Sequence, residues 1–191
     1  MNKGLKVFVC GGSGEVAPEF YEDAYSLGKL IADLGCEYSQ GGVVDRKTIM
    51  GESYYGYIEN GGKETYVMTR VTFTDDLNDY KQDFARFKEV DDIGGLLKEQ
   101  FLYSDVAIIM PGGTGTLMEI LGYIEERYDY PESKNKVIIY NKKINGIGFF
   151  DYILKQIEVS REYAFIKDDV IKYCFTVVNS FDELVNVVEN L

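Results

Sequence analysis

MPGGTGTLMEI, residues 110–120, comes directly after the apolar run Val106-Ala107-Ile108-Ile109. The run has the length and composition of a buried strand, and residues 111–115 cannot continue it. Pro111 has no backbone donor, and Gly112, Gly113 and Gly115 supply turn chemistry. Beyond them Ile120, Tyr123 and Ile124 recur at helical spacing. The stretch therefore reads as strand, glycine loop, helix, and the rest of the chain can be tested against that unit.

The unit recurs. Val7-Phe8-Val9-Cys10 empties into Gly11-Gly12-Ser13-Gly14, and a helical pattern then runs through Phe20, Ala24, Leu27, Leu30, Ile31 and Leu34 until Gly35 stops it. Cys36 to Ser39 leads to Gly41-Gly42, the charged stretch Asp45-Arg46-Lys47 and a helix through Gly51 to Ile58, ended by Gly61-Gly62. Thr65 to Val71 reads as a strand, and a helix from about Leu96 to Tyr103 precedes the 106–110 strand. Further strands are expected at Lys136 to Tyr140 and Cys174 to Val178, with helices at Phe149 to Val159, after the turn Asn145-Gly146, and at Phe181 to Val188. Residues 75–92 are polar and acidic and read as a surface excursion, partly helical. Strands alternating with helices imply right-handed crossovers and a parallel sheet covered on both faces. The expectation is one α/β domain over residues 1–191, Rossmann-like and doubly wound, with its mostly parallel sheet between helices. Ligands in such folds sit outside the carboxyl ends of the strands, where the glycine loops gather.

Composition narrows the chemistry. The 191 residues are 46% hydrophobic and 27% charged, the balance of a globular protein, and carry a formal charge of −12. That field repels nucleic acid and anionic lipid, so neither is an expected partner. A small anion must then be held by local backbone dipoles or a few placed cations. No histidine is present, which removes histidine-based triads, the common zinc sites and imidazole acid-base work. No metal and no cofactor are expected, and catalysis falls to carboxylates, hydroxyls, lysines or arginines. Cys10, Cys36 and Cys174 have neither metal-like spacing nor an even count, which fits a cytoplasmic protein better than a disulfide framework. The apolar core of MNKGLKVFVCGG is too short for a signal peptide, and no apolar stretch approaches the length of a membrane span.

Three junctions carry paired glycines: Gly11-Gly12, Gly41-Gly42 and Gly112-Gly113. Any one of them is explained by a tight turn. Three at one sheet edge, one followed by Thr114, Gly115 and Thr116 at a helix start, make a phosphate seat of free N–H groups. None matches GxxxxGK[ST], and no GxGxxG follows the first strand, so P-loop and NAD readings are disfavoured. Glu119 has two readings. With Thr116 it forms the T-x-x-E pattern of a capping box; it is also a carboxylate beside the seat, within reach of a sugar.

PGGTGTLME resembles the PGGxGTxxE motif of the Lonely Guy family, nucleoside 5′-monophosphate phosphoribohydrolases known for activating cytokinins. The similarity extends over most of the chain: VFVCGGSG resembles the family's first strand and loop, Gly41-Gly42 with Met50-Gly51 its second glycine motif, and NGIGFFDYIL a late Gly-aromatic-aromatic segment. The resemblance implies hydrolysis of the N-glycosidic bond to free base and ribose 5-phosphate without metal, by a homodimer or larger assembly. It implies Glu119 as the catalytic carboxylate, with the phosphate on Gly112, Gly113, Thr114, Gly115 and Thr116. Ser13 and the 11–14 loop, Gly12 included, then line the ribose or base side, and Gly41 and Gly42 are further substrate- or phosphate-binding positions. Members were once labelled lysine decarboxylases, but no recognisable pyridoxal phosphate site is present. The family's Arg-Lys pair on the preceding helix falls on Leu96-Leu97. Lys98 lies one position on, turned by about 100° on a helix. VVDRKTI is longer than the family's spacer and carries Arg46 and Lys47, either replacement cations or solvated loop charges. Two functions therefore stand: a hydrolase of a nucleoside 5′-monophosphate, and a module that binds such a ligand without efficient turnover.

Overall fold

The computed structural model describes residues 4–63, 65–71, 86–172 and 174–191. Strands β1 (Lys6–Cys10), β2 (Glu37–Gln40), β3 (Thr65–Arg70), β4 (Arg86–Val90), β5 (Val106–Ile109), β6 (Lys136–Tyr140) and β9 (Phe175–Val178) form one sheet in the order β4-β3-β2-β1-β5-β6-β9. Every pairing in it is parallel. The connecting helices are α1 (Pro18–Asp33), α2 (Ile49–Glu59), α3 (Ile93–Tyr103), α4 (Thr114–Asp129), α5 (Asp151–Glu162), the short α6 (Asp168–Lys172) and α7 (Phe181–Glu189). The α/β, Rossmann-like architecture is the expected one.

Alternation along the central strands builds two cores. In β1, Val7 and Val9 join Leu27, Ile31, Tyr38 and Leu184 on one face, while Phe8 and Cys10 join Phe101, Ile120, Tyr123 and Ile139 on the other. Side chains two apart share a face, so a sheet buried on both sides needs apolar residues at successive positions, as Val7–Cys10 of β1 and all of β5 have. On the first face α1 and α2 touch closely: a Cβ on Gly28 would lie 1.9 Å from Ser53 O, and one on Gly56 2.0 Å from Tyr25 O. The missing side chains let the two helix backbones meet.

The order of strands sets the position of the site. The chain winds outward from β1 to β4, then α3 carries it back to place β5 on the other side of β1. The reversal lies between β1 and β5, so beyond the 11–14 and 111–113 loops the chain turns to opposite faces of the sheet, into α1 and α4, and leaves a crevice at the carboxyl edge.

Three elements differ from the sequence reading. Residues 86–90, within the stretch read as an excursion, form the edge strand β4; residues 75–85 lie outside the described residues. Its RFKEV sequence is largely exposed and lacks the apolar run that marks the inner strands. Asn145-Gly146, both at positive φ (51° and 85°), turn a small antiparallel hairpin of β7 (Lys143–Ile144) and β8 (Ile147–Gly148). The short helix α6 has no counterpart in the sequence reading.

Candidate ligand cavity at the sheet edge

A cavity of about 460 Å³ opens at this crevice, walled by the ends of β1, β2 and β3 and by α3 and α4. Four of the five residues expected to seat the phosphate, Gly113, Thr114, Gly115 and Thr116, line it, with Glu119, Ser13, Gly41 and Gly42. Gly12 and Gly112 instead line a second recess of about 390 Å³ behind the loops, beside Phe20 and Phe149.

Two neighbouring glycines divide the labour. A Cβ on Gly112 would lie 2.1 Å from Thr116 Oγ1 and 2.8 Å from Gly12 N, because the 11–12 and 111–112 backbones are joined there by Gly12 N–H donating to Pro111 O at 3.0 Å. Gly112 is required by packing. Gly113 and Gly115 meet nothing within 4 Å and have room for a side chain. Their Cβ positions face the open side of the loop.

Gly113 is the N-cap of α4 and offers no capping side chain. Leu117 N–H donates to Gly113 O at 3.1 Å, the first bond of the helix, so the N–H groups of Thr114, Gly115 and Thr116 have no intrahelical acceptor. They and the positive end of the helix dipole stand at the cavity wall, an arrangement that suits an anion. The capping-box reading of Thr116 and Glu119 fails here, because the helix starts two residues before Thr116. Glu119 points elsewhere: its Oε1 accepts from Gln100 Nε2 at 3.3 Å. Desolvation pushes its carboxyl up to about 7, against the lowering effect of hydrogen bonds from Cys10 and Gln100. Burial, with the neighbouring Glu119 charge, raises the Cys10 thiol as well, so it stays protonated.

The nominated cations do not reach the cavity. Arg46 donates to Glu52 Oε2 at 3.0 Å and to Glu59, and its guanidinium lies 3.5 Å from the centre of the Tyr55 ring. Lys47 pairs with Glu15 at 3.4 Å, and Lys98 lies over the Tyr130 ring. The sequence reading missed Arg70, the cation among the described residues that line the cavity, and with it Thr69, Ile93 and Gln100. Arg70 was legible in principle, since it ends a strand at the edge where ligands bind. Of the leucines at the family's Arg-Lys positions, Leu96 faces the cavity, while Leu97 packs where a Gly122 side chain would be.

The family pattern described as "Possible lysine decarboxylase" matches residues 50–188. The chain belongs to this family, also called the Lonely Guy family. Over 134 residues it is 29% identical to an uncharacterized protein of Archaeoglobus fulgidus, covering 70% of this chain and 83% of that one. Two solved structures share the fold over nearly their whole length. The molybdenum cofactor carrier protein of Chlamydomonas reinhardtii has a TM-score of 0.61 at 17% identity, covering 99% of this chain and 98% of its own. The molybdenum cofactor binding protein of Rippkaea orientalis has a TM-score of 0.64 at 18% identity, covering 100% and 98%.

Proposed function

We propose that the cavity binds a nucleoside 5′-monophosphate and hydrolyses its N-glycosidic bond. The observation that carries this reading is the presence, in one cavity, of the uncapped N-terminus of α4 and a carboxyl group held near neutrality. The phosphate takes the N–H groups of Thr114, Gly115 and Thr116, with the Thr114 and Thr116 hydroxyls as further donors, and Arg70 offsets the overall negative charge of the protein. Residue 119 then lies about 7.5 Å along the helix axis from residue 114, on the sugar side of the phosphate.

As the C1′–N bond breaks, positive charge develops on the sugar and a water oxygen bonds to C1′. Ionised Glu119 stabilises that charge, takes one proton from the water as its oxygen bonds to C1′, and passes that proton to the departing base nitrogen, so the base leaves neutral and the carboxylate is regenerated. A group that titrates near 7 is suited to this exchange at neutral pH. Purified protein is incubated with a panel of nucleoside 5′-monophosphates. Free base and ribose 5-phosphate in equal amounts, lost in Glu119→Gln, support the reading; no base from any nucleotide defeats it.

One observation favours a second reading. Leu96 stands at the cavity wall where the family pattern carries a cation that would stabilise charge during cleavage. Two proteins of the same fold are described as binding or carrying the molybdenum cofactor, which makes a carrier of a phosphorylated ligand the alternative. In the same incubation it gives bound ligand and no product.

A further inference from the structure

Gln100 lies one turn beyond Leu96 on α3, and both line the cavity. Its surface is fully buried, at 0% exposure. The amide Nε2 donates to Glu119 Oε1 at 3.3 Å, which leaves the carbonyl as the other end. That other end, Oε1, finds no donor among the described residues. A buried carbonyl oxygen without a partner costs about as much as a lost hydrogen bond, and methionine or leucine would fill the same volume without the cost. The unmet acceptor belongs to a side chain that lines the cavity.

The neighbours limit what that ligand presents. Val43, Met50, Ile93 and Leu96 make the adjacent wall apolar. A second phosphate or a carboxylate is disfavoured there, since it would face the Gln100 oxygen and the Glu119 carboxyl that Gln100 holds. A neutral O–H donor suits it.

We propose that Gln100 reads a sugar hydroxyl of the bound ligand, accepting its hydrogen bond on Oε1 while Nε2 holds Glu119 toward the same sugar. The inference rests on the proposed function, in which the α4 N-terminus seats a sugar phosphate. It assigns Gln100 to specificity: it distinguishes a hydroxylated ligand from an aliphatic one of similar size and charge.

The test uses ribose 5-phosphate and n-butyl phosphate, which share the anion and differ in hydroxyls, titrated calorimetrically into wild type and Gln100→Met. Wild type should prefer ribose 5-phosphate by about tenfold or more, the usual worth of one hydrogen bond into a buried acceptor. Gln100→Met should lose that preference while binding n-butyl phosphate within about twofold of wild type. Equal affinity of wild type for the two ligands overturns the proposal, whether or not the variant folds. So does a folded variant that keeps the preference. If neither phosphate binds wild type, the seat itself is wrong and the inference falls with it, an outcome distinct from phosphate binding without preference.

Discussion

Helices α2 and α4 both begin at the carboxyl edge of the sheet after glycine-bearing loops, yet their first turns are finished in different ways. At α2 the chain satisfies itself: Thr48 Oγ1 accepts from Gly51 N–H at 3.0 Å and donates to Asp45 O at 2.7 Å. Glu52, buried in the first turn, takes both the Lys47 N–H and the Arg46 guanidinium. At α4 the cap is a bare glycine and the first turn holds no acidic side chain. A helix start closed by its own side chains has nothing to offer an anion. One left open keeps its donors for a ligand, and the stability a cap would add, about 0.5–2 kcal/mol, is forgone there.

The largest effects should separate two glutamates. Glu119→Gln is expected to lower base release by about two to four powers of ten, the usual range for a general acid-base group. Glu52→Gln should leave the rate within about twofold but cost on the order of 1–3 kcal/mol, because it removes a buried ionic acceptor from two donors. Chemical denaturation and product chromatography on the same samples check both. A slow Glu52 variant and a fast Glu119 variant would reverse the assignment of closed and open helix starts.

Acid-base linkage gives a second mark of the open start. The folded-state pKa of Glu119, about 7, is above its ordinary value near 4.5, so between those pH values the folded chain holds a proton that the unfolded chain has released. Wild type should therefore lose stability as pH rises from about 4.5 to about 7 on account of this group, and no more of it above. Glu119→Gln should remove that component of the slope. Denaturation midpoints of both proteins across this range decide it; parallel curves would place the carboxylate in a well-solvated site.

Within the loop itself the contrast narrows to adjacent residues. Gly112→Val should destabilise by about 1–3 kcal/mol, because the Gly12 backbone has no room to retreat. Gly113→Val, with open space around its Cβ and an extended backbone (φ −87°, ψ −152°), should keep stability within about 0.5 kcal/mol. It should nonetheless weaken ribose 5-phosphate at least about tenfold by covering the free N–H groups. Equal affinity in wild type and Gly113→Val would put the anion seat elsewhere.

The two loops also show what a sequence displays. The β1 and β5 strands were legible because both faces of the sheet are buried and Val7–Cys10 and Val106–Ile109 are apolar throughout; β4 was not, because an exposed edge strand such as RFKEV carries no such run. Motif residues reached the cavity where a backbone role decided them, as at Gly113 and Gly115. Charges did not follow. Arg46 and Lys47 sit beside a glycine motif in sequence, but their direction depends on Glu52, Glu59 and Tyr55 around Arg46 and on Glu15 beside Lys47. Arg70 and Gln100 enter the cavity from β3 and α3, and only the strand order and the facing of α3 bring them there. The Thr116–Glu119 spacing fits a capping box and the site alike; the helix start at Thr114 separates the two.

The smallest effect expected is at the loop charges, and it tests the closed side of the comparison most directly. Arg46 and Lys47 are the cations that sequence proximity nominates for the missing Arg-Lys pair. Engaged as they are, bringing either over the cavity would break its ion pair, and moving Arg46 would also break its stacking on Tyr55. Both side chains remain largely solvated, so those contacts contribute little each. Replacing both by alanine should cost at most about 1 kcal/mol. It should shift ribose 5-phosphate affinity and base release by less than about twofold, because Arg70 already lines the cavity. Arg70→Ala is the companion experiment and should weaken phosphate binding with a visible salt dependence in wild type that the variant loses. If instead the double alanine variant loses tenfold and Arg70→Ala does not, the 45–47 segment moves over the ligand and α2 does not stay closed.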